Sequence, residues 1–151
     1  MLGADHAGFA LKQQLGRELR KRGVRVIDVG THSAAMTDYP KYCIAAATAV
    51  AEGHARWAIV VGGSGQGEQI AANKVPGIRA ALCHDPYVAV LARRHNDANV
   101  LAIGARFVAA PLAIAILDAW MKTRFDGGRH RRRIDQIAAY EQAPRLAKER
   151  H

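Results

Sequence analysis

Apolar runs and amphipathic stretches alternate along this chain in the order typical of an α/β fold. Leu11, Leu15 and Leu19 recur at every fourth position within 7–22, which predicts a helix with one apolar face. The same reasoning predicts further helices at 40–52, 67–74, 85–95, 110–123 and 129–142, and strands at 1–4, 24–29, 57–62, 78–83 and 100–103. We therefore expect a mainly parallel, five-stranded sheet with helices on both faces.

The chain has 151 residues, a length typical of one domain. We expect this domain to cover residues 1–142, including a basic last helix, and residues 143–151 to form a polar tail. No apolar run is long enough for a membrane span, and the first residues do not resemble a signal peptide, so neither a membrane partner nor export is expected. Cys43 and Cys83 fit buried thiols of a reducing, cytoplasmic compartment.

The segment 59–68, with the sequence IVVGGSGQGE, carries the strongest sign of chemistry. Its apolar start predicts a buried strand, and its glycines allow a sharp loop that presents backbone N–H groups to an anion. Glu68 would repel a bound phosphate, but it suits a base that removes a proton from carbon beside a developing oxyanion. Two other interpretations are a nucleotide site, with Asp85 as the ribose-binding acid, and a structural turn with Glu68 favoured by the helix dipole.

The formal net charge of +9 is a reason to consider nucleic-acid binding. Positive charge is densest at 129–133, RHRRR, which fits a solvated helix face, an RNA-binding tail or a phosphate site. No aromatic residues alternate with these arginines for base stacking, which weakens the RNA interpretation. Arg129 and Arg133 are four residues apart on one helix face, where like charges repel unless an anion lies between them.

The carboxyl ends of parallel strands share one edge of a sheet, so residues distant in sequence are expected to meet there. Asp5 and His6 follow the first strand, Glu68 lies in the loop after the third, and His95 precedes the last. Their convergence would place two carboxylates and two imidazoles around the glycine loop. The histidines and cysteines show no metal-ligand spacing, so no metal site is predicted.

Six ordered blocks, GADHAG (3–8), DYP (38–40), GSGQGE (63–68), IAANK (70–74), RHNDAN (94–99) and GRH (128–130), resemble the ribose-5-phosphate isomerase B family. That family also includes allose- and galactose-6-phosphate isomerases. The resemblance covers about residues 2–142. It implies a three-layer α/β/α, Rossmann-like fold and a homodimer with sites at the subunit interface. It also implies no cofactor or metal, and the interconversion of an aldose phosphate and a ketose phosphate through a cis-enediolate.

The resemblance further implies a role for each matched residue. His95, together with Asp5, opens the furanose ring, Glu68 moves the proton between C2 and C1, and Ser64 relays a proton between O1 and O2. Some phosphate ligands come from the partner subunit. Tyr39 equally fits a core aromatic. The implied substrate-binding residues are Asp5, Tyr39 and Asn96 at the sugar, Gly63, Ser64, Gly65, Gln66 and Gly67 at the enediolate oxygen, and His6, Arg106, Arg129, His130 and Arg133 at the phosphate.

Gly62 departs from the pattern of many family members, which carry a cysteine base directly before the Gly-Ser/Thr-Gly. Neither Cys43 nor Cys83 fits that position. The sequence instead resembles the subgroup, typical of actinobacteria, in which a glutamate at the end of the loop is the base, here Glu68. We expect an isomerase of ribose 5-phosphate and ribulose 5-phosphate. The alternatives are an isomerase of a six-carbon sugar 6-phosphate and a nucleotide- or nucleic-acid-binding module.

Overall fold

A computed structural model of the protein describes residues 1–143, which form one parallel sheet flanked by helices. The strands are β1 (Leu2–Ala4), β2 (Ala58–Gly62), β3 (Ala80–Leu82) and β4 (Val100–Gly104), in the spatial order β1-β2-β4-β3. The helices are α1 (Phe9–Lys21), α2 (Pro40–Ala51), α3 (Gln66–Ala72), α4 (Pro86–Asn96), α5 (Ala110–Lys122) and α6 (Arg129–Gln142). All three strand pairs are parallel, which confirms the predicted sheet type.

Two separate hydrophobic cores make the fold three-layered. Alternate side chains of β2 point to opposite faces: Ile59 and Val61 join the core under α1, α4 and α5, whereas Ala58 and Val60 join the core under α2 and α3. Each β2 residue is at least nine-tenths buried, as expected of a central parallel strand. The predicted α/β/α sandwich is therefore confirmed.

The expectation of a fifth strand at 24–29 is wrong. This segment runs beside β1 and exchanges backbone hydrogen bonds with it, from Leu2 N–H to the Ile27 carbonyl and from Val29 N–H to the Leu2 carbonyl. Only one bridge forms, between Leu2 and Asp28. The reason is the shortness of β1: alternate residues bond on each side, so only Leu2 and Ala4 face this segment, and Ala4 makes a single bond, accepted by its carbonyl from the Thr31 N–H.

A buried ion pair, rather than a ladder of strand hydrogen bonds, attaches the segment 24–29 to the rest of the domain. Lys12 on α1 is fully buried; its ammonium donates to Asp28 Oδ2 at 2.5 Å and to the Thr31 carbonyl at 2.8 Å. The pair fixes the path of the chain between β1 and α2. Within residues 1–143, none of the helices has the length and apolar character needed to span a lipid bilayer. The polar tail expected at 143–151 lies, apart from its first residue, outside the described part.

Candidate active site

The glycine loop links β2 to α3 at the carboxyl edge of the sheet. Gly65 adopts a left-handed conformation (φ +78°), and a Cβ there would lie 2.5 Å from Leu82 Cδ1, so both backbone and packing require glycine. Ser64 Oγ accepts a hydrogen bond from the Gln66 N–H at 3.2 Å, which closes the turn. Glycine at position 65 and this hydrogen bond together define the turn that leads from β2 into α3.

Glu68 folds its carboxylate back over Gly62, the last residue of β2. The side chain is only 3% exposed, although it lies in the first turn of α3. A Cβ added to Gly62 would lie 1.7 Å from Glu68 Oε1 and 2.7 Å from Oε2. The carboxylate thus occupies space that exists because residue 62 has no side chain.

Burial raises the pKa of Glu68 above its ordinary value, and the neighbouring Asp5 carboxylate raises it further. Hydrogen bonds from the backbone N–H groups of Glu68 itself and of Gly65 act in the opposite direction. A carboxylate with a raised pKa is a stronger base than an exposed one. The environment of Glu68 therefore makes its carboxylate more basic than that of an exposed glutamate.

Asp5 and His6 directly follow β1, at the same edge of the sheet as the loop. Asp5 is buried, and its Oδ1 accepts a hydrogen bond from the Gly8 N–H at 3.1 Å. His6 Nδ1 lies 3.2 Å from the Thr37 amide nitrogen and 3.1 Å from the Thr37 carbonyl oxygen, so this backbone fixes the ring. Both residues lie at the sheet edge where the sequence placed them.

Tyr39 and Arg106 cover the loop from two directions. The phenol of Tyr39 lies directly against Gly67, where a Cβ would meet its Cζ and hydroxyl oxygen. The guanidinium of Arg106 lies beside Gly63, with Cζ 3.0 Å from where a Cβ would stand. Tyr39 is also packed against the core under α2, which confirms the core-aromatic interpretation, whereas its role at the substrate stays a prediction.

A second group of expected site residues lies where α4 ends and α6 begins. The rings of His95 and His130 stack with their centroids 4.3 Å apart and their planes 7° from parallel. Burial lowers the pKa of His130, and the positive charges of His95, Arg129 and Arg133 lower it further, against the effect of Asp126. His130 is buried, whereas Asn96, Arg129 and Arg133 are exposed.

The contacts within the chain divide the expected residues into a loop group around Glu68 and a histidine group around His95. Among residues 1–143, no hydrogen bond or ion pair joins the two groups, and Asp5 has no bond to His95. The loop group comprises Asp5, His6, Tyr39, Gly63, Ser64, Gly65, Gln66, Gly67, Glu68 and Arg106; the histidine group comprises His95, Asn96, Arg129, His130 and Arg133.

Sequence reasoning missed Asp126, which joins the histidine group from the α5–α6 connection. Its carboxylate receives two bonds from Arg94 Nε, at 3.0 and 3.1 Å, and pairs with Arg94 Nη2 at 2.9 Å. Arg94 holds the pKa of Asp126 below its usual range. One ring nitrogen of His95, one of His130 and one Asp126 oxygen lie within 4.8 Å of one another. Their sequence positions share no motif, so only the fold brings them together.

Cys43 and Cys83 are both fully buried, as the sequence predicted. Burial raises the pKa of each thiol to about 12. Neither is a thiolate at neutral pH, and neither occupies the position before the loop, where Gly62 stands.

This chain is similar to proteins of one family over most of its length. The pattern of the Ribose/Galactose Isomerase family matches residues 1–137. Ribose-5-phosphate isomerase B of Escherichia coli (strain K12) is 51% identical over 140 residues, which cover 93% of this chain and 94% of that protein. The solved ribose-5-phosphate isomerase B of Clostridium thermocellum is 48% identical, with a TM-score of 0.92 over 93% of this chain and 95% of its own. That of Mycoplasma genitalium, with bound ribulose-5-phosphate, is 39% identical, with a TM-score of 0.91 over 95% of both chains.

Proposed function

We propose that this chain, which belongs to the Ribose/Galactose Isomerase family, interconverts ribose 5-phosphate and ribulose 5-phosphate. The observation that carries the mechanism is the buried Glu68 carboxylate, held over Gly62 beside the glycine loop at the carboxyl edge of the sheet. No thiol stands at that position. The reaction needs a base for a carbon-bound proton and donors for the oxyanion that forms beside it, and the loop offers both.

Glu68 takes the proton from C2 of the open-chain aldose and returns it to C1. The electrons left on C2 form the C1–C2 double bond of a cis-enediolate, and negative charge gathers on the carbonyl oxygen. Backbone N–H groups of Gly63–Gly67 stabilise that oxygen; one such donor is worth about 100- to 1,000-fold in rate where it has been measured. The Ser64 hydroxyl relays a proton between O1 and O2. The raised pKa of Glu68 supports its role as the base.

His95 opens the furanose ring, with Asp5 assisting, before Glu68 acts. Asn96 binds a sugar hydroxyl, and Tyr39 lines the pocket. His6, Arg106, Arg129, His130 and Arg133 hold the phosphate. The positive charges of Arg129 and Arg133 lower the pKa of His130 despite the nearby Asp126 carboxylate, and this excess of positive charge supports an anion there.

The active unit in this proposal is a homodimer whose partner brings its histidine group to the loop group of the first subunit. Two features support this. The two groups are not bonded to each other within one chain, and large apolar side chains remain exposed on α2, α3 and α6. These are Ile44 (41% exposed), Ile70 (59%), Ile137 (49%) and Tyr140 (84%). The two buried, unpaired thiols fit a cytoplasmic location.

Steady-state turnover of ribose 5-phosphate tests the proposal, with allose 6-phosphate run alongside. The wild type should convert ribose 5-phosphate, and Glu68→Gln should lower kcat by at least about 100-fold, because the amide cannot accept the proton. Glu52→Gln, at an exposed site on the end of α2, is the matched control and should leave kcat unchanged. Conversion of the six-carbon sugar alone would assign the other substrate, and full activity of Glu68→Gln would remove Glu68 as the base.

A further inference from the structure

A cluster of His95, Asp126 and His130 offers the ligand types of a metal site. The isomerase mechanism does not require such a site. One ligand atom from each residue lies within 4.8 Å of the others. A zinc ion bound at about 2.0–2.2 Å in a tetrahedron keeps its ligands roughly 3.4 Å apart. Closing the three groups around one ion therefore brings their ligand atoms together by up to about 1.4 Å and requires the two stacked rings to rotate.

The fold holds these residues from three separate segments. His95 is in the last turn of α4, His130 is the second residue of α6, and Asp126 is in the connection that precedes α6. The Asp126 N–H donates to the Arg94 carbonyl at 3.0 Å, and the His130 N–H donates to the Gly127 carbonyl at 3.1 Å. Within one chain His130 is buried and Asp126 is exposed, so the cluster opens on the side of Asp126.

We propose that His95, Asp126 and His130 bind a divalent transition-metal ion, Zn²⁺ in the first instance. Two imidazole nitrogens and one carboxylate oxygen are a known zinc ligand set that leaves a fourth position open. Arg94 pairs with Asp126 through both carboxylate oxygens and can retain one of them while the other binds the ion. That arrangement makes Arg94 the outer partner that orients the ligand.

The ion and the histidine stack exclude each other. The nitrogen lone pairs of two stacked rings lie in two parallel planes, so both can bind one ion only if the rings tilt. The positive charges of Arg129 and Arg133 oppose a cation here, and an anion in the fourth position offsets them. Resting on the proposed function, Zn²⁺ is then an inhibitor, because the His95 nitrogen that binds the ion can no longer exchange a proton with the sugar.

Zinc titration of the full-length protein, stripped with EDTA and kept free of phosphate, tests the site without relying on activity. A chromophoric zinc chelator competing with the protein gives affinity and stoichiometry. We expect one Zn²⁺ per chain in the wild type, and at least tenfold weaker binding in Asp126→Asn and in His130→Gln. His54→Gln, which removes an exposed histidine near Glu52, is the control and should bind as the wild type does.

Equal zinc affinity in the wild type and Asp126→Asn, or no binding by the wild type, overturns the proposal. Asp126→Asn decides the question even if His130→Gln fails to fold, because Asp126 is exposed. Co²⁺ gives a second readout, since tetrahedral ligation by imidazole produces visible absorption bands that Asp126→Asn should weaken. Turnover slowed by Zn²⁺ and restored by EDTA supports inhibition. A protein that binds Zn²⁺ but turns over no ribose 5-phosphate refutes the proposed function and leaves the metal site standing.

Discussion

Substituting Gly62 by alanine should disable the proposed base by displacing the Glu68 carboxylate, although residue 68 itself is unchanged. The new Cβ would stand 1.7 Å from Glu68 Oε1, and real Cβ atoms essentially never approach another heavy atom within 3.0 Å. The carboxylate must therefore retreat by more than about 1 Å, a misplacement that costs on the order of 100-fold in rate. The clash falls on the carboxylate end of the flexible Glu68 side chain, which can move aside, so the domain should stay folded. We expect kcat to fall by at least about 100-fold and KM, set largely by the phosphate ligands, to change little.

A double-mutant cycle on ribose 5-phosphate turnover isolates the cause. The variants are Gly62→Ala, Glu68→Ala and the two together, with folding checked by circular dichroism. If alanine at 62 acts only by displacing Glu68, it has no further effect once Glu68 is already removed. Full kcat in Gly62→Ala, or an equal loss in both backgrounds, would refute the reasoning.

Three further predictions follow from buried groups. Glu68→Gln should raise the free energy of unfolding at pH 7.5, because the raised pKa of Glu68 makes its ionisation destabilising as pH rises through that pKa. In urea titrations this gain in stability should vanish as pH falls towards the ordinary pKa of 4.5. An equal gain at every pH would contradict this prediction. Iodoacetamide should leave turnover intact, since Cys43 and Cys83 are buried with pKa values of about 12; rapid inactivation that substrate prevents would remove Glu68 as the base. Asp28→Asn should lower the free energy of unfolding by about 3–5 kcal/mol in the same urea assay, because it leaves the buried Lys12 ammonium without its carboxylate partner. A loss near zero would show that this ion pair does not attach the segment 24–29 to the domain.

Features of the fold that depend on local signals could be predicted from the sequence. The stripe of Leu11, Leu15 and Leu19 does form the buried face of α1. Asp85 caps α4 by accepting the Val88 N–H at 2.9 Å, and Pro86 is the first residue of that helix. Each of these depends on neighbours within a few residues.

Features that depend on distant partners could not be predicted. An apolar run at 24–29 has strand character, but whether it pairs depends on how many residues β1 offers it. Burial of Lys12 depends on Asp28, which belongs to another segment.

The candidate site likewise has features that could be predicted from the sequence and features that could not. The Glu68 loop was visible as a motif, because its glycines and carboxylate are contiguous. The position of the carboxylate over Gly62, and the meeting of His95 with Asp126, required the folded chain.

Deuterium incorporation during turnover in D₂O tests the central claim, that Glu68 moves the carbon-bound proton, most directly. A proton held by Glu68 between C2 and C1 exchanges with solvent, so the wild type should place deuterium at C1 of the ribulose 5-phosphate it forms, detected by NMR. We expect Glu68→Gln to lose turnover and deuterium incorporation together, while Glu52→Gln keeps both. Incorporation at the wild-type rate in Glu68→Gln would contradict it and assign the proton transfer to another group.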